Sequence, residues 1–225
     1  MELIRVTICA LVLAALSACG SPIGDIAQVV WDNRNAEEDA PAPPPRVNRA
    51  AIEQADLAAI VVTGERFGLT AIAAAVQKRE DRIVYNSNEN RGVTLQGGLV
   101  YTTLGFGANL QAVLVAPGDP LVEKLPPDAW PDRVSRTYLV SGRGPVFDRI
   151  DATCTIRRGD EAVIDVVRAN RNAVALTEVC TTDAGERFVN QHFIDPSDGE
   201  MWRSLQWTGP MQGYVLVDVV EPFTG

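Results

Sequence analysis

The sequence predicts an all-β domain: a large antiparallel meander curled into an open barrel or sandwich, with a short N-terminal helix. Three observations predict it. From residue 57 onward, short runs rich in Val, Ile, Thr and aromatic residues recur. Between them stand turn signals. "TGER", "RRGD", "TDAGE" and "PSDGE" place Gly or Asp where φ > 0 is needed, and Asp198-Gly199 is a strong hairpin signal. The spacers are mostly short, so successive strands pair as hairpins. A sheet of that size must curl or fold over itself to bury its apolar face.

Two segments precede this domain. Residues 1–18 read as a lipoprotein signal peptide. Val6–Leu16, "VTICALVLAAL", is apolar apart from Thr7, which suits a leader core and is too short to span a bilayer at about 20 residues. Leu16-Ser17-Ala18-Cys19 then puts an aliphatic residue three positions before Cys, with small residues between, which is the lipobox pattern. Cys19 is the expected lipidation site; ordinary cleavage after Ala18, or a buried thiol, is the alternative. Three acyl chains anchor firmly, since each buried methylene contributes about 0.8 kcal/mol. Gly20 follows rather than the Asp that retains lipoproteins in the inner membrane. The expected address is therefore the outer membrane, with the chain lipid-anchored and facing the periplasm. Residues 19–46 form a tether: "NRNAEEDAPAPPPR" cannot bury a core. Within it Ile23, Ile26, Val30 and Trp31 are spaced for one helical face.

The β domain is expected over 47–225. "NRAAIEQAD" reads as the short helix, with Asn48 as N-cap. Strands are expected near 57–63, 69–77, 81–86, 92–96, 98–104, 134–141, 147–157, 161–169, 172–180, 186–195, 200–208 and 213–220. "ANRN" makes a further tight reversal. Alternation is clean in Val93 and Leu95 against Thr94 and Gln96, and blurred in "YVLVDVV", as for a strand covered on both faces. Loop 105–132 is read as irregular apart from one helical turn near Asn109–Val113.

The chain carries a net charge of −9, which the leader's single acid and base leave unchanged on removal. Such a protein repels phosphate backbones and anionic lipid, so nucleic acid is excluded as a partner and attachment must come from acyl chains. Of four cysteines, Cys9 leaves with the leader and Cys19 is lipidated. Cys154 and Cys180 remain, an even pair in an oxidising compartment, each in phase with apolar neighbours on its strand. A disulfide is expected; two separate buried thiols are the alternative.

Little in the sequence points to catalysis. His192 is the only histidine, no H-E-x-x-H or clustered Cys/His spacing exists, and no G-x-S-x-G appears. No metal or cofactor is implied. Glycosidase action needs two carboxylates about 5–10 Å apart across a cleft. Asp195 and Asp198 lie in a turn, where Asp ordinarily caps backbone groups. Gly97-Gly98 lacks a following Lys-Ser/Thr and reads as a bulge or bend. Binding has more support. In "MWRSLQW", Trp202, Ser204 and Gln206 share a face suited to a glycan or protein contact. The alternative is that Trp202 caps a cavity in the sheet while Ser204 and Gln206 satisfy buried backbone. Trp130, in "PDAWPD", is a further candidate contact, either exposed or packed on the sheet edge.

Two stretches carry a family resemblance. "NRGVTLQGGLVYTTLGFGANL" (90–110) leads a strand pair into a "GFGANL" turn, and "ERFVNQHFIDPSDGEMWRSLQWTGP" (186–210) combines F-x-N, D-x-x-D-G, W-R-S-x-Q and G-P. Together they resemble the group 4 capsule polysaccharide lipoprotein family of the YjbF/GfcB type, over roughly 48–222. Tyr85 and Phe193 stand where Trp is expected in that family. The resemblance implies an all-β periplasmic domain on an outer-membrane anchor. Its implied role is a non-catalytic accessory in exopolysaccharide or capsule production or export. The implied partners are an outer-membrane β-barrel protein, periplasmic proteins of the export system, and the polysaccharide itself. A carrier of an apolar ligand in the curved sheet is a second reading, and a polysaccharide hydrolase a third.

Overall fold

The structure, a computed structural model, describes residues 47–142 and 147–224. The leader, Cys19, the tether and its Ile23–Trp31 face lie outside the described residues.

The domain opens with helix α1 (Arg49–Gln54), where the Asn48 side chain accepts from the Ala51 N–H as expected of an N-cap. Twelve strands follow: β1 (Ala59–Gly64), β2 (Leu69–Arg79), β3 (Arg82–Asn86), β4 (Gly92–Gln96), β5 (Leu99–Leu104) and β6 (Leu110–Val115), then β7 (Arg133–Ser141), β8 (Phe147–Val166), β9 (Ala169–Thr182), β10 (Arg187–Ile194), β11 (Met201–Trp207) and β12 (Tyr214–Glu221). They form one sheet in the order β5-β4-β3-β2-β1-β12-β11-β10-β9-β8-β7-β6, antiparallel throughout. The edge strands β5 and β6 lie beside one another, so the sheet curls into a nearly closed barrel. Curling removes most of the edge that so long a sheet would otherwise expose.

Glutamine side chains seal the seam where the ladder stops. The Gln206 carboxamide accepts from the Val100 N–H and donates to the Gly98 carbonyl. Gln212 Oε1 accepts from the Thr103 hydroxyl and from the Leu110 N–H. Both glutamines are buried, and these bonds satisfy backbone groups that lack a strand partner.

Three expectations need correction. Residues 109–113 are not helical; β6 runs there and pairs with β7. A register shift between Leu110 and Ala112 breaks the two-residue alternation and mimics helical spacing. "RRGD" is not a turn either. β8 runs unbroken from Phe147 to Val166, with an irregularity between Arg158 and Glu161. The reversal comes at Val167 and Arg168, both at positive φ, where sequence signals favour Gly or Asn. "ANRN" lies inside β9.

Cys154 on β8 and Cys180 on β9 are register partners and are joined by a disulfide. Next to them, Phe188 and Trp207 stack at 4.3 Å, and Tyr138 meets Trp207 edge-on at 5.1 Å.

The meander sorts its connections between two ends. One end, here the near end, carries α1, the turns after β2, β4, β8 and β10, the long 116–132 loop and the C-terminal residues. Arg49 fastens α1 there by donating to the carbonyls of Val166, Val167 and Val220. The far end carries the turns after β1, β3, β5, β9 and β11.

Candidate functional site

The 116–132 loop turns inward and helps fill the barrel. Its Leu121 is buried in the core, and the Leu121 carbonyl accepts from the Gly98 N–H. The approach is close: a Cβ on Gly97 would lie 2.2 Å from the Leu121 oxygen, and one on Gly199 would lie 2.0 Å from the Lys124 oxygen. Both glycines also hold positive φ, at +56° and +73°, which the same positions favour in glycine.

Asp119 from this loop enters a buried charge network. Arg136 on β7 is fully enclosed; its Nε donates to Asp119 Oδ2 at 2.9 Å and its Nη1 to Glu178 Oε2 at 2.6 Å. Asn190 Nδ2 donates to the same Glu178 oxygen at 2.8 Å, and His192 Nε2 lies 3.3 Å from it. Burial alone would raise the Glu178 carboxyl. The Arg136 guanidinium and His192 outweigh it and hold the group well below the usual carboxylate range. Burial pushes the neighbouring Tyr138 hydroxyl up to about 12, with Arg136 opposing. Glu178 also lies within 4.8 Å of both cysteine sulfurs. Those sulfurs are bonded to each other, and a thiolate is the ligand form a metal needs, so the trio has no metal chemistry.

A groove of about 350 Å³ opens at the near end, between the β2–β3 hairpin, the 116–132 loop and the C-terminal residues. Tyr85, Leu95, Met201 and Phe223 supply its apolar surface. Lys78 and Lys124 face Glu80, Asp81, Glu123 and Glu200 around it. Lys124 Nζ pairs with Glu200 Oε2 at 2.5 Å, Gln96 Nε2 donates to Asp81 Oδ2, and Lys78 Nζ sits 5.4 Å from the centre of the Phe223 ring.

Residues 24–220 match the family model described as group 4 capsule polysaccharide lipoprotein gfcB, YjbF. The chain belongs to this family. Among solved structures, this family member resembles the hypothetical lipoprotein YmcC from Escherichia coli K12, at 17% identity and a TM-score of 0.69. The likeness covers 91% of this chain and 98% of that one, and it shows a shared fold. No curated protein matches the chain significantly.

Within this family domain, the residues singled out in "MWRSLQW" point mainly inward. Ser204 and Gln206 are buried, with Gln206 Nε2 donating to Ser204 Oγ, so they serve the seam and interior rather than a solvent-facing contact. Trp202 is 8% exposed; its Nε1 donates to Asp195 Oδ2, and the Arg171 guanidinium lies 4.1 Å over its ring. Trp130 is half-buried, donates to the Leu125 carbonyl and packs 5.8 Å from His192. It therefore joins the loop to the interior network. Asp195 and Asp198 cap backbone N–H groups of Ser197 and Glu200, as their turn predicts. The groove carries little signal in the sequence: Tyr85, Gly97 and Met201 line it, yet locally they read as an aromatic exchange, a bend and part of a strand.

Proposed function

We propose that the protein is a non-catalytic accessory lipoprotein of exopolysaccharide or capsule production or export. It is anchored to the outer membrane through Cys19, faces the periplasm and acts by contact with a barrel partner or the polymer. The match to the capsule polysaccharide lipoprotein family over 24–220 carries this reading. The filled interior supports it. The loop, the charge network and the aromatic cluster occupy the space that a carrier of an apolar ligand would need, which weighs against that reading. The two interior carboxylates are clamped by Arg136 out of solvent, which weighs against hydrolysis through them. Contact groups remain at the ends: the groove at one, and the exposed side chains of Phe67, Leu104 and Met211 at the other.

The test is genetic and chemical. Deleting the gene should lower extracellular polysaccharide while intracellular precursors stay normal. Cys19→Ser should abolish metabolic labelling with radioactive palmitate and release the protein from outer-membrane fractions. Unchanged polymer output in the deletion strain refutes the role, and a labelled Cys19→Ser protein refutes the anchor.

A further inference from the structure

We propose that the far end of the barrel is a binding site for one integral water molecule, held between the side chains of Asn109 and Gln212, and that this water fastens the seam between β5 and β6. The inference is independent of the polysaccharide reading.

The argument starts from two side-chain atoms without a protein partner. Gln212, in the β11–β12 turn, is 1% exposed. Its Oε1 is in use, accepting from the Thr103 hydroxyl and the Leu110 N–H. Its Nε2, a donor, is buried and unpaired among the described residues. Asn109 immediately precedes β6, and its Oδ1, an acceptor, is likewise buried and unpaired. A buried polar atom costs free energy unless it is paired. Both residues line one cavity of about 20 Å³, bounded by the β5–β6 loop, the end of β7 and the β11–β12 turn. The hydroxyls lining it are already committed: Ser141 donates to the Asn109 carbonyl and Thr208 to the Gly213 carbonyl.

Size and chemistry together select the ligand. The cavity exceeds the roughly 10–15 Å³ that one water needs and is far too small for a sugar ring or a peptide side chain. One orphan gives a hydrogen and the other takes one. Water does both, accepting from Gln212 Nε2 and donating to Asn109 Oδ1. An anion would meet the Asn109 oxygen and the Asp148 carboxylate at the rim. A cation would meet the Gln212 N–H, and calcium or magnesium needs about six oxygen ligands.

The bridge has a structural consequence. Gln212 supplies the side-chain bonds to Thr103 on β5 and Leu110 on β6, where no ladder joins the two strands. A water on Nε2 holds the other end of the same planar carboxamide, so it fixes the acceptor that Leu110 uses.

The experiment is a crystal structure of the lipidated mature chain in detergent, joined to amide hydrogen exchange at Leu110. An ordered water should lie within about 3.2 Å of both Asn109 Oδ1 and Gln212 Nε2. Asn109→Leu, which removes the acceptor and fills the cavity with methyl groups, should lose it and speed Leu110 exchange about fivefold. Asn109→Asp, which keeps the shape and an acceptor, should retain the water and exchange like wild type. The proposal is overturned if no water bridges the two side chains in wild type, or if a metal ion or another side chain occupies the place. It is equally overturned if Leu110 exchange is the same in Asn109→Leu as in wild type. Should Asn109→Leu fail to fold, the wild-type structure and Asn109→Asp still decide.

Discussion

Replacing Arg136 with methionine tests the interior most directly. The guanidinium is fully buried and lies between Asp119 and Glu178, both enclosed. Methionine roughly fills the space but leaves two carboxylates without their cation. Breaking a buried ion pair in this way costs about 3–5 kcal/mol. For a domain of this size, each kcal/mol moves Tm by roughly 2–4 °C, so the expected fall is roughly 6–20 °C. The pH dependence has a definite sign. In the folded protein the Glu178 pKa is depressed, so its contribution to stability is present above the unfolded carboxylate value of 4.5 and is lost as pH falls toward the folded value. Without Arg136, burial acts on Glu178 with less opposition and raises its pKa, so acidification neutralises the stranded charge. The stability gap between wild type and Arg136→Met should therefore narrow from pH 7 to pH 4. Urea unfolding of the mature chain across that range reads both quantities. Adding Asp119→Asn and Glu178→Gln to Arg136→Met should recover much of the loss, because no unpaired charge then remains. A loss under about 1 kcal/mol, or a gap that stays constant down to pH 4, would refute the reasoning.

Two further outcomes follow from the backbone. Removing the disulfide by a paired Cys154→Ala and Cys180→Ala change should cost about 3.5 kcal/mol on the chain-entropy model for a separation of 26 residues, read as a lower urea midpoint. Gly199→Ala forces a Cβ to 2.0 Å from the Lys124 oxygen at a positive φ, so the 116–132 loop should detach. Limited proteolysis should then cut that loop faster than in wild type, and an unchanged cleavage rate would contradict the close approach.

Much of the fold was legible because alternation and turn chemistry act locally. Asn48 capping α1, the Asp195 and Asp198 caps, and the bend at Gly97 depend only on neighbours within a few residues. The disulfide was legible from compartment and phase. The same phase also marks a buried charge pair. Glu178 stands between Leu176 and Cys180 in the buried alternation of β9, and Arg136 stands in step with Tyr138 and Val140 on β7. An acid and a base on inward faces imply a buried pair. The third member was hidden, because Asp119 comes from a loop whose path depends on contacts across the barrel. The "RRGD" segment misled for a related reason: the ladder with β9 continues past a local turn signal and absorbs it as an irregularity.

How the barrel is filled decides what the fold can do. A curled sheet of many strands can enclose a ligand site or a channel. Here the inward loop brings Asp119 and Leu121 into the interior, and Trp130 packs against His192 there. Once that loop is seated, recognition is left to what it presents outward. Lys124 follows Leu121 by three residues, and it pairs with Glu200 on the rim of the groove. The same segment thus packs the interior through one side and shapes the groove through the other. Loosening the interior pair at Arg136 should therefore disturb the groove without touching a groove residue. If limited proteolysis cut the 116–132 loop of Arg136→Met no faster than that of wild type at a temperature where both stay folded, the loop would have two independent halves, and this coupling would be refuted.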